Sequence, residues 1–467
     1  MSDSLLHRFT CVISKSFFAR GIVRQRPTPP AWDGLEPLEP RLLLSTDSNP
    51  IALGSPPSIP GGSVYIGPVP DYSPLAHSIA IPILPEPGDA VWLPSGVHPM
   101  FPPPPPPPSP GLYWDPDGNS SNNNYTTGAG LGGNGNWNLT SYYWYNSSTS
   151  SYVQWSNSNN ATAVFMTTTT STVTLTTGIT AAGTVKFSTS GYTVTGNTLT
   201  LTSCTTVENS GDAVIASTIA GSAGLTKTGS GTLTLSGSNT YSGCTSIQAG
   251  TLKLGGNNRL PTCTTVTLGN STNSGTLKLN GYTQELAGLA ISGTGNSNRV
   301  VNDSATAGAL TLNTCSCSYT VSAILGGSST DEKRFGLTKK GSWTLTLSGA
   351  NSYTCGTAIQ AGTLVLGGSS ALPTGTMVTL GPCDSATLKL NGYSLEVNGL
   401  TTCGTGGSNR VINGGGAGAT LTVNTSSGDS TFAGFLGSSC SDERNFGLTK
   451  EDAPPVVEGW VAAASSC

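Results

Sequence analysis

Two near-copies of one segment decide the fold of this chain. The first reads GLTKTGSGTLTLSGSNTYSG from Gly224, and the second reads GLTKKGSWTLTLSGANSYTC from Gly336, an offset of 336 − 224 = 112 residues. After the loss of one residue, DEKRFGLTK from Asp331 recurs as DERNFGLTK from Asp442, at an offset of 442 − 331 = 111. Self-similarity at a fixed period predicts stacked structural repeats. A third copy begins at Gly447 and stops after GLTK.

Short strands account for most of the two repeats, which we place at 224–335 and 336–446. TLTLS, TLKLG and TVTLG alternate apolar residues with Thr, Lys or Ser, and Gly, Asn or Ser follows each run. This pattern is typical of half-buried strands joined by tight turns. The repeats predict no helix. Two architectures fit such strands, a parallel β-helix and a set of stacked hairpins.

We favour the parallel β-helix. The strands are short, two-residue hairpin signals are scarce, and the inward Leu, Val and Ile residues can stack in ladders from coil to coil. At roughly 20 to 25 residues per coil, one repeat would hold about five coils.

One stretch of each repeat resembles a known family. GSGTLTLSGSNTYSGCTSIQAGTLKL, from Gly229 to Leu254, is similar to the autotransporter-associated β-strand repeat of bacterial passenger domains, and its second copy runs from Gly341 to Leu366. The turn NTYSG from Asn239 is the most specific part of the match. The resemblance implies an all-β fold, a right-handed parallel β-helix that is exported and displayed at the cell surface.

The composition indicates an extracellular structural protein. Charged residues make up 9% of the chain, against about 25% in typical domains. The formal net charge of −4 leaves no basic footprint for nucleic acid. No phosphate-binding loop is present, so we expect neither a nucleic-acid partner nor a cofactor.

The first 110 residues predict a leader and a linker. Residues 1–45 form a basic leader whose end resembles the short LEPR-XLL motif found near the start of long bacterial surface proteins. This motif consists of Leu38, Glu39, Pro40, Arg41, Leu42, Leu43 and Leu44. We interpret it as a sorting or processing element, with a Pro-broken apolar turn as the alternative. Residues 46–110 end in the run Pro102 to Pro108 and a further proline, and they predict a disordered Pro-rich linker.

Aromatic residues gather at the start of the predicted folded body. We expect region 111–223 to form a cap and the first coils, because the open end of a β-helix exposes backbone groups and apolar side chains. The alternative is a platform on which sugar rings stack. Its candidate residues are Trp137, Tyr143, Trp144 and Trp155.

Catalytic groups are scarce in this sequence. All three histidines precede residue 111, which makes a Ser-His-Asp triad hard to build in the repeats. The best candidate for acid–base chemistry on glycosidic bonds is Asp331-Glu332, repeated as Asp442-Glu443. Because this pair recurs with the repeat beside basic residues, we interpret it as a solvated loop and predict no catalytic residue.

A metal site is also considered. Asp115, Asp117 and Asn119 alternate oxygen ligands as a calcium loop does, but the sixth and twelfth positions hold Ser120 and Thr126 in place of Gly and Glu. We therefore interpret the segment as a cluster of turns and predict no metal.

The chain has 11 cysteines, which do not keep register between the two repeats. A disulfide framework built into the repeat would keep it. We interpret them as scattered small residues, with a local bridge at Cys315 and Cys317 as the alternative.

The repeat pattern stops near the end of the sequence. After Lys450, EDAPPVVEGWVAAASSC replaces the expected strand residues, and no run of 18 apolar residues follows. We expect 447–467 to be a broken third repeat with an irregular tail, and the chain to be a truncated or frameshifted passenger without a transmembrane segment.

These observations predict a non-catalytic passenger or stalk protein, adhesion-like or structural, at the bacterial cell surface or secreted by an unknown route. Its expected partners are surface polysaccharide or other cell-surface proteins. The alternatives are a lyase or glycosidase on a β-helix and a carbohydrate-binding module.

Overall fold

The computed structural model describes most of the chain after the Pro-rich segment. The described residues are 111–451, without 203–204, 294, 296, 315, 382–383, 405–406 and 425–429. The predicted leader with its LEPR-XLL motif, the linker 46–110 and the tail from residue 452 lie outside the described residues.

Short strands dominate the described chain. Before the first repeat lie β1 (Gly111–Trp114), β2 (Gly135–Trp137), β3 (Trp144–Asn146), β4 (Ser151–Val153), β5 (Thr162–Phe165), β6 (Ser171–Leu175), β7 (Ile179–Ala181), β8 (Val185–Phe187), β9 (Tyr192–Gly196), β10 (Leu199–Leu201), β11 (Thr206–Asn209), β12 (Ala213–Ile215) and β13 (Ile219–Ala220). A 3-10 helix, Ser120–Asn122, lies between β1 and β2.

The first repeat contains β14 (Leu225–Thr228), β15 (Thr232–Leu235), β16 (Thr245–Ile247), β17 (Gly250–Leu254), β18 (Thr265–Leu268), β19 (Gly275–Lys278), β20 (Thr283–Leu286), β21 (Gly288–Ile291), β22 (Arg299–Val301), β23 (Gly308–Asn313), β24 (Tyr319–Val321), β25 (Ile324–Leu325) and the one-turn helix α1 (Thr330–Lys333).

The second repeat and the start of the third contain β26 (Phe335–Lys340), β27 (Thr344–Leu347), β28 (Thr357–Ile359), β29 (Gly362–Leu366), β30 (Thr376–Leu380), β31 (Ala386–Lys389), β32 (Leu395–Thr402), β33 (Arg410–Ile412), β34 (Ala419–Asn424), β35 (Phe435–Leu436), the one-turn helix α2 (Ser441–Arg444) and β36 (Phe446–Glu451).

The strands stack into a parallel β-solenoid of about 12 turns. One face is formed by the sheets β21-β18-β16-β14-β11-β8-β5-β1-β3-β4 and β20-β23-β26-β28-β30-β32-β34-β36, and a second face by β2-β6-β9-β12-β15-β17-β19-β22-β25 and β24-β27-β29-β31-β33-β35. A short sheet, β13-β10-β7, completes the early coils. The pairings β1–β3 and β3–β4 are antiparallel. The predicted parallel β-helix is confirmed, and the stack of hairpins is excluded for the repeats.

The coil length follows from the pairing register. Val207 pairs with Lys227, a step of 227 − 207 = 20 residues, and Leu310 pairs with Leu337, a step of 337 − 310 = 27. Along one face, β14, β16 and β18 are followed by the coil that holds β20 and β21, with β21 paired to β18 and β20 paired to β23. After β23, β26 takes the place of β14. One repeat therefore comprises five coils, as its length predicts.

Inward apolar side chains form continuous ladders through the solenoid. Leu233 pairs with Leu252, which pairs with Leu277, and the line continues to Val300 and Leu325. All five side chains are fully buried. Burying one such side chain stabilises the fold by roughly 1.5–3 kcal/mol, so the ladders supply the main driving force for stacking.

Two lysines take inward positions in these ladders. The sequence pattern predicts lysine on the outer face, but Lys227 and Lys339 are fully buried, because the strand alternation that buries the preceding leucine buries them as well. The Lys227 Nζ donates to the backbone carbonyls of Gly229 at 2.7 Å and Ala249 at 2.9 Å. The Lys339 Nζ donates to the Ala361 carbonyl at 2.6 Å. Each lysine therefore ties the end of its own strand to the turn of the next coil.

The asparagine of the N-x-Y turn links three successive coils. Asn239 Oδ1 accepts from the Ile219 N–H at 2.7 Å, and its Nδ2 donates to the Arg259 carbonyl at 2.7 Å. Asn351 makes the same pair of hydrogen bonds one repeat later, at 2.8 and 2.7 Å. The buried Tyr241 hydroxyl lies 2.6 Å from the Thr245 hydroxyl. The N-x-Y turn thus supplies hydrogen-bond partners to backbone N–H and C=O groups that are buried between coils.

Leu252→Ala should lower the free energy of unfolding by about 2–5 kcal/mol, because it opens a cavity in a fully packed ladder. Thr251→Ala, one residue away on the outer face, should change it by less than about 0.5 kcal/mol. Urea unfolding of the full chain measures both. Equal effects of the two substitutions would contradict the inward–outward assignment.

The buried lysines should make the free energy of unfolding depend on pH in the alkaline range. Loss of hydration lowers the pKa of Lys227 and of Lys339 to about 8, whereas an unfolded lysine keeps its proton to about 10.4. Between these values the unfolded chain binds more protons, so the free energy of unfolding rises with pH. From pH 8 to 9.5 we expect a rise of about 1–2 kcal/mol per lysine.

Comparison with Lys227→Met across this range provides the test, and the rise should be smaller in the variant. Parallel curves for the two proteins would rule out the lysine as the source. The range stops below pH 10 because burial raises the pKa of Tyr241 and Tyr353. Those tyrosines reduce stability as the pH rises above their unfolded pKa.

Candidate functional site

Four tryptophans form a cluster at the first coils. Trp114, Trp137, Trp144 and Trp155 are each at most 1% exposed. The ring centroids of Trp137, Trp144 and Trp155 lie 5.0 Å from one another in all three pairs. The Trp155 indole N–H donates to the Thr180 carbonyl at 3.2 Å. The cluster lies where β3 and β4 extend the sheet beyond β1 in the antiparallel sense.

This geometry corrects the sugar-platform alternative. Trp137, Trp144 and Trp155 are buried, and Tyr143 is half-buried with its ring 5.9 Å from that of Trp114. A sugar ring stacks on an exposed aromatic face, which these three indoles do not offer. Their burial supports the interpretation of this region as a cap, because the bulky rings fill the end of the core.

The predicted turn cluster at Asp115 is held by hydrogen bonds. Asp115 is fully buried, and its carboxylate accepts from Asn123 Nδ2 at 2.7 Å and from the Tyr152 hydroxyl. Burial raises the pKa of Asp115. Asp117 accepts from the Asn119 N–H at 2.7 Å. Among the described residues, no group of three His, Cys, Asp or Glu side chains could hold a metal ion.

The repeated acidic pairs lie on the one-turn helices α1 and α2, which the sequence did not predict. The Glu332 carboxylate accepts from the N–H groups of Ser329 at 3.1 Å and Ser328 at 2.9 Å, and the Ser329 hydroxyl accepts from the Glu332 N–H. These hydrogen bonds lower the pKa of Glu332. Asp331 lies 3.6 Å from Arg334. The reciprocal hydrogen bonds between Ser329 and Glu332 form a capping box.

The spacing of the two pairs also matters for catalysis. They lie five coils apart, and neighbouring coils are separated by about 4.8 Å, so roughly 24 Å separates the pairs. Two carboxyl groups that cleave a glycosidic bond together are about 5–9.5 Å apart. The two pairs therefore cannot act together on one bond. Glu332 is occupied in the capping box of α1, whereas the N-cap of α2 makes no side-chain hydrogen bond.

The described cysteines are all on the surface. Those without a disulfide are Cys244, Cys263, Cys317, Cys355, Cys403 and Cys440, and each is exposed. Cys315 lies outside the described residues, so the alternative of a bridge at 315 and 317 stays a prediction.

An open groove on the outer face of the second sheet is the best candidate for a binding site. Its volume is about 660 Å³. Its floor is one line of outward side chains in register across six neighbouring strands, β6, β9, β12, β15, β17 and β19. That line consists of Thr172, Thr193, Val214, Thr234, Lys253 and Lys278. The sequence pattern gives no sign of the groove, because alternating Thr and Lys are ordinary strand residues.

Three charged residues, Asp212, Lys253 and Lys278, line the groove. Lys278 pairs with Asp303 at 2.8 Å, whereas no ion pair between described residues involves Lys253. Asp212 accepts from the Thr232 N–H at 2.7 Å. In the second repeat Val365 replaces Lys253, whereas Lys389 stands at the position of Lys278, so the pair of neighbouring outward lysines occurs in the first repeat and not in the second.

Trp144→Ala should lower the free energy of unfolding by about 3–5 kcal/mol, because the indole is packed against other rings in the core. Tyr142→Ala is the control. Tyr142 is 60% exposed, so its loss should cost less than about 0.5 kcal/mol. Urea unfolding of both variants provides the measurement, and an unchanged midpoint for Trp144→Ala would contradict the cap.

Comparisons with known proteins show which family and which relative this chain is similar to. The passenger-associated-transport-repeat family matches residues 225–254 and 337–366. The first match holds β14 to β17, and the second holds the greater part of β26 and all of β27, β28 and β29. An adhesin named BmaC autotransporter, from Brucella suis biovar 1 (strain 1330), is 49% identical over 63 residues, which cover 13% of this chain and 2% of that adhesin. No solved structure matches. In the described residues, no helix is long and apolar enough to cross a membrane. The chain thus carries two passenger-associated-transport repeats within its solenoid, and part of it is similar to an autotransporter adhesin.

Proposed function

We propose that the chain is a non-catalytic, surface-displayed passenger that makes adhesion-like contacts through the outer face of its solenoid. The repeat family and the relative named as an adhesin support a passenger at the cell surface. The chain spans about 2% of that relative's length, so adhesion by this chain is part of the proposal.

The groove is the observation that carries this proposal. Six outward side chains stand in one line, and strands about 4.8 Å apart give the line a length of roughly 24 Å. Hydroxyl groups both donate and accept hydrogen bonds, and the ammonium groups of Lys253 and Lys278 add charge at one end. Such a surface suits an extended polymer that lies along the solenoid, either a surface polysaccharide or an extended segment of a cell-surface protein.

The arrangement of polar groups favours binding over catalysis. Asp212 is the acidic residue that lines the groove, and one carboxylate cannot supply both the acid and the base of glycoside cleavage. Glu332 of the first acidic pair takes part in the capping box of α1, and the two acidic pairs lie too far apart to act on one bond. These facts support a passenger that holds its partner without changing it.

Attachment of the fluorescently labelled full chain to bacterial and epithelial cells tests the proposal by flow cytometry. The double variant Thr193→Glu, Thr234→Glu places two carboxylates on the groove floor and should reduce attachment at least about tenfold, because buried unpaired charge is costly at an interface. Thr346→Glu is the matched control. Thr346 occupies the position of Thr234 in the second repeat, outside the groove, and its substitution should leave attachment unchanged.

Two results would count against the proposal. One is a wild-type chain that attaches to neither cell type. The other is equal attachment by the wild type and the groove double variant, which would separate adhesion from the groove. Unfolding midpoints of all variants show that the fold is intact.

A further inference from the structure

Trp343 differs from the other described tryptophans. It is 52% exposed, whereas the four indoles of the cap are at most 1% exposed. Trp343 lies in the turn between β26 and β27, so its side chain extends from the wall of the solenoid. An exposed indole offers a large apolar face to a ligand, and tryptophan is enriched among the residues that dominate binding energies.

The first repeat has no side chain at this place. Gly231 stands at the position of Trp343, since 343 − 231 = 112. A Cβ on Gly231 would overlap the carbonyl oxygen of Gly211 in the preceding coil. The coil before Trp343 differs in sequence from the coil before Gly231, because a polar segment begins there at Thr314. The tryptophan is therefore a local change to the repeat that the repeating architecture does not require.

One threonine fixes the turn that carries Trp343. The Thr314 hydroxyl lies 3.0 Å from the Lys340 carbonyl and 3.0 Å from the Trp343 carbonyl. The Trp343 N–H also points to the Thr314 carbonyl, at 3.4 Å. The base of the indole and the base of the Lys340 side chain are thus held on one short turn.

Polar side chains lie on the same turn and the strands beside it. Lys340 Nζ is 3.3 Å from the Glu285 carboxylate, and Asn313 Nδ2 donates to that carboxylate at 2.8 Å. The Lys340 and Glu285 side chains are 47% and 25% exposed. Partly exposed groups can exchange water for a ligand. The pair has no net charge, and it presents donors and an acceptor together.

This group is also specific to one place in the chain. Thr228 stands at the position of Lys340 in the first repeat, and Glu451 stands there in the third copy. Glu285 has its counterpart in Glu396. The ammonium and the indole therefore occur together once, beside a carboxylate that the repeat supplies in any case.

We propose that Trp343, Lys340, Glu285 and Asn313 form a binding site for a neutral hexopyranose unit of a glycan. The apolar C–H face of the sugar packs on the indole, and its hydroxyl groups donate to Glu285 and accept from Lys340 and Asn313. A neutral sugar is favoured because the Lys340–Glu285 pair leaves no excess charge to attract an acid. This inference rests on the proposed surface function and names one chemical class that such a surface recognises.

Isothermal titration calorimetry of the full chain with cellohexaose, chitohexaose and an oligogalacturonate provides the test. At least one neutral oligosaccharide should bind, with little binding of the acidic one. Trp343→Gly should weaken that binding at least about tenfold, as expected for the central aromatic of a small site. Gly is the residue of the first repeat at this position, so the fold should persist. Trp343→Phe should retain binding within about threefold.

Two further variants distinguish this site from a nonspecific contact with any exposed aromatic ring. Tyr142→Ala removes an exposed aromatic at the cap and should leave affinity unchanged, and Lys340→Thr, which restores the residue of the first repeat, should weaken it. Unchanged affinity in Trp343→Gly, preference for the oligogalacturonate, or no binding of either neutral oligosaccharide would each overturn the proposal. Because soluble sugars are used, its failure is distinct from failure of cell attachment through the groove.

Discussion

Stacked coils bring the backbone groups of each turn against those of the next coil, where water cannot reach them. An unpaired buried N–H or C=O group costs about as much as a lost hydrogen bond. In this solenoid, buried side chains make the missing bonds. Asn239 and Asn351 bridge three coils each, and Lys227 and Lys339 bind turn carbonyls. The leucine ladders drive stacking, but these polar side chains make close stacking of turns tolerable.

The same constraint explains why the repeat sequence looks as it does. The inward residues and those that shape a turn are largely shared between the copies, and some outward residues, such as Thr234 and Thr346, are shared as well. Other outward positions vary: Lys253 and Val365 differ at one, and Gly231 and Trp343 differ at another. The two copies therefore have the same architecture but not the same surface. Features that break the repeat on the outside are therefore the natural places to look for function.

Charge has a limited and local role in this molecule. Ion pairs such as Lys186–Glu208 and Lys278–Asp303 link described side chains, and partly exposed pairs of this kind contribute little to stability. Glu332, at the end of the first repeat, belongs to the capping box of a one-turn helix. Charged residues make up 9% of the chain, so the ammonium groups at the groove and near Trp343 are distinctive features.

The repeat and the strand period can be read from the sequence, because they follow from the 112-residue offset and from local alternation. The sequence favours parallel coils over stacked hairpins and about five coils per repeat, and the strand pairing confirms both. The tertiary structure alone decided which polar residues are buried. Lys227 looks like any exposed strand residue until its register with Val207 is known. Trp144 fits a sugar platform until its burial among other aromatic rings is known. The groove likewise exists only because residues about 20 apart in sequence align on neighbouring strands.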